Sequence, residues 1–116
     1  MHTYIQLLNY ISYFEEENIE FCRWEGMYPK YDEKMDEFIK EVYKTDLLKS
    51  DYLPYLDEKL SDRDYTAAIP TADFELLRAI LTFYVRQERF CDGAWANSAK
   101  EGMFLRILNR LKELDG

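Results

Sequence analysis

ADFELLRAILTFYVRQERFC, residues 72–91, is the stretch on which the fold reading turns. Wound at about 100° per residue, it puts Phe74, Leu77, Leu81, Tyr84 and Val85 on one side, which Ile80 and Cys91 widen. Leu76, Ala79, Phe83 and Phe90 cover much of the remainder. Only an arc of about 80° stays polar, and it holds Glu75, Arg78, Thr82, Arg86 and Arg89. A helix apolar around most of its circumference belongs in the middle of a domain. The expected fold is therefore all-α: one domain over 1–116, with about five helices around a central helix at about 72–91. Thr71 or Asp73 caps its start, and Gly93 marks its end.

Outward from that helix, residues 97–114 read as the last helix, with Phe104, Ile107, Leu108, Leu111 and Leu114 on one face. Gly102 either bends it or lets another backbone approach. On the other side, Asp62 to Pro70 is a connector, and DYLPYLDEKL (51–60) is a short helix opened by Asp51. Residues 31–44 form a clear helix with a buried stripe of Tyr31, Met35, Phe38, Ile39 and Val42. Residues 18–30 are the least periodic. Gly26 and Pro29 mark a loop there, with Ile19, Phe21 and Trp24 packing beneath it. Residues 3–17 read as one amphipathic helix on the stripe Tyr4, Leu7, Leu8, Ile11 and Phe14, with a break beginning at Asn18.

Composition agrees with this reading. Apolar residues make up 47% of 116, too many for a disordered chain, and four glycines with three prolines are few for a β fold. No run approaches the ~20 apolar residues of a membrane span, and the N-terminus lacks a cationic secretion signal, so a cytoplasmic location is expected. Two cysteines, Cys22 and Cys91, and a single histidine, His2, fall short of a closed zinc site, which needs about four ligands. No cofactor motif is present, and no cofactor is expected: there is no G-x-S-x-G, Gly-rich phosphate loop or H-E-x-x-H. Both thiols are expected to be small, partly buried side chains, although sequence alone leaves a disulfide between them open.

The net charge of −8 is uneven. Residues 1–70 hold 16 acidic and 8 basic side chains, whereas 71–116 hold 7 of each. Such a chain repels phosphate backbones and anionic membranes, so neither is an expected partner. Nine of the ten tyrosines lie in residues 1–65. Acid and tyrosine together suit contact with another protein, although tyrosine also serves ordinary cores. Glu33, Glu37 and Glu41 recur every fourth residue, a solvated helix face or a docking strip for a basic partner.

The charges of the central helix form the candidate site: Arg78, Arg86, Glu88 and Arg89. Glu88 falls at about 320°, in the middle of the apolar arc. A carboxylate there needs a partner from another segment, such as Arg23, Lys100 or a tyrosine hydroxyl. Two readings compete. One is a buried ion-pair network tying the arginines to carboxylates of residues 1–70. The other is a pocket for a small anion, which guanidinium groups suit through their planar fork. Catalysis has weaker support, in carboxylates such as Asp62 and Asp64.

The segment ADFELLRAILTFYVRQERFCDG, followed by EGMFLRILNRLKEL, resembles a small bacterial family of domains of unknown function. The shared pattern is R-x-[DE]-R-F-x-x-G, here Arg86, Glu88, Arg89, Phe90 and Gly93, then Gly102 and a terminal L-x-R-L at Leu108, Arg110 and Leu111. Tyr28-Pro29-Lys30-Tyr31 and Phe38 match as well. Members often carry Phe-Asp-Trp where this chain has Tyr52-Leu53-Pro54-Tyr55-Leu56. The resemblance implies a small bacterial helical protein and brings no activity or catalytic residue with it. The readings are thus, in order, a non-enzymatic interaction or regulatory module, an anion-binding domain, and an enzyme using carboxylates.

Overall fold

Helical periodicity recurs along most of the chain, and in the computed structural model, which describes residues 4–115, each strongly periodic segment is a helix. The α-helices are α1 (Ile5–Leu8), α2 (Ile11–Glu15), α3 (Glu33–Tyr43), α4 (Tyr52–Lys59), α5 (Tyr65–Ala68), α6 (Phe74–Arg86), α7 (Ala94–Lys100) and α8 (Met103–Asp115). Short 3-10 turns follow α5 at Ile69–Thr71 and α6 at Gln87–Arg89. Among the described residues five helices run seven residues or more, and the other three are single turns.

Three boundaries depart from the periodicity reading. The first amphipathic segment is two helices, because the chain bends at Asn9-Tyr10; both halves still bury the expected stripe through Leu7, Leu8 and Phe14. Asn18 ends that region in a left-handed conformation, φ +64°. The last helix is also split. Gly102, at φ +79°, separates α7 from α8 in a left-handed conformation that glycine, lacking a Cβ, adopts without strain. The central helix stops at Arg86 rather than Cys91, and Gly93 at φ +86° opens α7. Of the two candidate caps, it is Asp73 that accepts a hydrogen bond from the Leu76 N–H, at 2.8 Å.

The larger correction lies in residues 18–30, read as a loop, and in Tyr31, read as part of the next helix. Residues 22–31 form a β-hairpin, β1 (Cys22–Glu25) antiparallel to β2 (Tyr28–Tyr31), so Tyr31 ends a strand and α3 begins at Glu33. Gly26 occupies the first of two turn positions with φ +65°, the sign that a type II′ turn demands there. Pro29 is tolerated because each strand of a two-stranded sheet is an edge. An added bond from the Asp32 N–H to the Phe21 carbonyl, 2.8 Å, ties the hairpin to the start of α3.

Phe14, Phe38 and Phe104 meet at the centre with ring centroids 4.9–5.7 Å apart, and Phe38 and Phe104 are fully buried. α6 is central as expected, touching α4, α7 and α8. α8 shares that position, since it packs on α1, α2, α6, α7 and the 69–71 turn. Thr82, on the arc read as polar, is buried too, because the segment between α3 and α4 lies across it: its hydroxyl accepts from the Lys49 N–H at 3.0 Å. No helix of the described residues is long and apolar enough to cross a membrane.

Candidate functional site

Glu88 lies just past the end of α6, in the 3-10 turn, and its side chain bridges three elements. Oε1 accepts from the Tyr31 hydroxyl of β2 at 2.5 Å and from the Trp95 N–H at 3.0 Å. Oε2 accepts from the Gly93 N–H at 2.8 Å. The carboxylate thus serves the unpaired N–H groups at the start of α7, where the helix dipole also favours negative charge. A donor from another segment was the requirement read from the helix geometry, and of the candidates considered the tyrosine hydroxyl supplies it. Around this clamp the Tyr31 and Trp95 rings lie 5.0 Å apart, and the Trp95 indole N–H donates to the Val85 carbonyl at 2.7 Å. Burial first, then the bond to Glu88, holds the Tyr31 hydroxyl well above the ordinary tyrosine pKa.

Gly93 is the second fixed point. A Cβ there would sit 2.8 Å from the Trp24 ring, so β1 rests directly on this backbone. The segment RQERFCDG therefore docks the hairpin onto the helical core.

The arginines do not converge. Arg78 and Arg86 stand two turns apart on α6, about 12 Å by helix rise. Arg78 donates to the carbonyls of Leu47 and Leu48 at 3.4 and 3.3 Å and pairs with Glu75 at 3.0 Å. It fastens the segment between α3 and α4. The Arg86 guanidinium lies 5.7 Å over the Tyr52 ring, with its buried Nε unpaired. Arg89 is exposed and makes no ion pair or hydrogen bond among the described residues. None of the three pairs with a carboxylate from residues 1–70, so the expected network is replaced by carbonyl, ring and within-helix contacts.

Asp62 and Asp64 stay in an exposed turn. Asp62 accepts from the Asp64 N–H, and Asp64 caps α5 by accepting from the Ala67 N–H at 3.1 Å. Cys22 is half-buried, Cys91 is exposed rather than partly buried, and both are free thiols. His2 lies outside the described residues, among which no three His, Cys, Asp or Glu side chains gather as a metal site. Of the nine tyrosines in residues 1–65, Tyr28 and Tyr43 are exposed and the other seven pack wholly or partly into the fold.

Sequence reading missed the surface this clamp supports. At the hairpin, Trp24, Met27 and Tyr28 are 52, 83 and 75% exposed, and Phe90 in the adjoining loop is 76% exposed. Trp24 was expected beneath a loop. The available signal was W-E-G-M-Y, a two-residue glycine turn between aromatic positions. On the other side of the hairpin a groove of about 930 Å³ runs between α2, the strands and the start of α3. Tyr13 and Asp32 stand in its wall, joined by a 2.7 Å bond from the hydroxyl to the carboxylate.

The arrangement is a small, mostly helical domain with one docked hairpin. The chain belongs to the family of unknown function DUF6508, whose sequence profile matches residues 2–115. No curated protein and no solved structure matches it.

Proposed function

We propose that this domain is a non-enzymatic protein-interaction or regulatory module that binds through its hairpin end. The observation that carries the reading is the exposure of Trp24, Met27, Tyr28 and Phe90 beside the contacts that seat the hairpin on Glu88 and Gly93. Aromatic residues, methionine and arginine are the types enriched at protein interfaces, and Arg23 and Arg89 lie on the same two segments. Trp24 and Tyr28 stand on opposite faces of the hairpin beside the turn that carries Met27, so exposed apolar side chains surround its tip, and exposed apolar surface of this kind marks interaction sites on soluble domains. In this reading Arg78, Arg86 and Glu88 hold the scaffold, and Arg89 belongs to the binding surface. Two free thiols suit a cytoplasmic setting, and the RQERFCDG pattern suits a bacterial one.

A photo-crosslinking amino acid placed at Met27 tests this in cells. The expected result is one discrete adduct from Met27 and none from the same probe at exposed Asn109 on α8. Equal, diffuse labelling from both positions overturns the reading.

A further inference from the structure

We propose that the groove beside the hairpin receives an extended cationic segment of a partner protein, with lysine or arginine side chains alternating with apolar ones. The inference rests on the interaction reading above and adds the chemistry of the occupant.

Strand alternation separates two faces of the hairpin. Cys22 pairs with Tyr31 and Trp24 with Pro29, and this face is turned to the Glu88 clamp and Gly93. Arg23 pairs with Lys30 and Glu25 with Tyr28 on the opposite face, where all four are exposed among the described residues and Arg23, Glu25 and Lys30 line the groove. Six carboxylates and three cations line that groove. Arg23 is taken up by Glu20 at 3.4 Å and Lys30 by Glu25 at 3.8 Å, while Lys34 stands 5.9 Å over the Tyr13 ring. Glu16, Glu33 and Asp36 are left with no cation within 4 Å among the described residues.

A surplus of unpaired carboxylates over an open strand face is complementary to positive charge, and such complementarity selects the partner and speeds encounter. Tyr13, Ile19 and Tyr31 in the groove lining provide apolar contact for the residues between the charges. About 930 Å³ is room for several side chains rather than one ion, and no three carboxylates gather to hold a metal among the described residues. A second copy of this chain, at −8, and a nucleic acid would both meet the groove with the wrong sign.

The test uses the full chain, isotope-labelled, titrated with a capped octapeptide alternating lysine and leucine and with its glutamate-for-lysine counterpart. The expected result is amide shifts confined to residues 13–36 with the lysine peptide alone, weakening about tenfold or more from low to high salt. Glu16→Gln with Glu33→Gln should weaken binding about fivefold with little change in melting temperature, since neither side chain bonds to another described residue. Glu37→Gln with Glu58→Gln should leave it within about twofold. The proposal is overturned if the glutamate peptide acts equally, if shifts spread over the outer faces of α3 and α4, or if the groove stays silent. Capture at Met27 with a silent groove sinks this inference alone; silence in both experiments sinks the interaction reading too.

Discussion

Replacing Glu88 by alanine removes the one acceptor shared by the Tyr31 hydroxyl and the N–H groups of Gly93 and Trp95. A hydrogen bond to a charged group contributes about 1.5–3 kcal/mol when buried. Glu88 is half-buried, so water re-enters and about 1 kcal/mol per bond is the better figure. Glu88→Ala should therefore cost about 3 kcal/mol, or about 12 °C at roughly 4 °C per kcal/mol in a domain this size. Glu88→Gln divides the effect. With its oxygen at the Oε1 position it keeps the bonds from Tyr31 and Trp95, but its NH2 then faces the Gly93 N–H, donor to donor. That variant should lose about 1–2 kcal/mol. Urea unfolding followed by circular dichroism measures both, and a double-mutant cycle with Tyr31→Phe should return a coupling of about 0.5 kcal/mol or more. A cost under about 1 kcal/mol for alanine, or equal costs for both variants, would refute the clamp as the device that seats the hairpin.

Gly93→Ala should cost about 1–3 kcal/mol, from the left-handed φ and the 2.8 Å approach to Trp24, and adding Trp24→Ala should recover part of the loss. Independent, fully additive costs would remove Trp24 from the argument. Arg78→Ala should cost about 1–2 kcal/mol through the freed carbonyls of Leu47 and Leu48, less than the breaking of a buried ion pair, whereas exposed Arg89→Ala should stay within about 0.5 kcal/mol. Thermal melts separate these outcomes, and the reverse order would restore Arg89 as a structural residue. Alkali should unfold the protein early. Burial, then the bond to Asp46, pushes Tyr4 up to about 12, and burial likewise raises Tyr13 and Tyr31, so the fold prefers their neutral forms. That stability is fully present below the ordinary tyrosine value of 10.0 and, for Tyr4, is lost as pH rises from there through about 12. A urea midpoint unchanged above pH ~10 would contradict it.

The helices and their buried faces were legible in the sequence because each buried stripe is a local property. Met35, Phe38, Ile39 and Val42 recur at helical spacing, and so do Phe104, Ile107, Leu108 and Leu111, and burial follows from that spacing alone. Glu88 was legible as a residue in need of a partner from elsewhere, although the helix ends at Arg86 and the carboxylate meets its donors from the turn beyond rather than from an apolar arc. The hairpin was obscured by Pro29 and Gly26, which punctuate a loop as readily as an edge strand. Which donors meet Glu88, which carbonyls take Arg78, and which carboxylates share the groove were decided only by tertiary structure. Tyr31 meets Glu88, Leu47 meets Arg78, and Glu16 and Glu33 line one groove, across turns whose directions local propensity does not set. Charges that looked merely solvated one at a time became a surface when the hairpin folded beside α2 and α3.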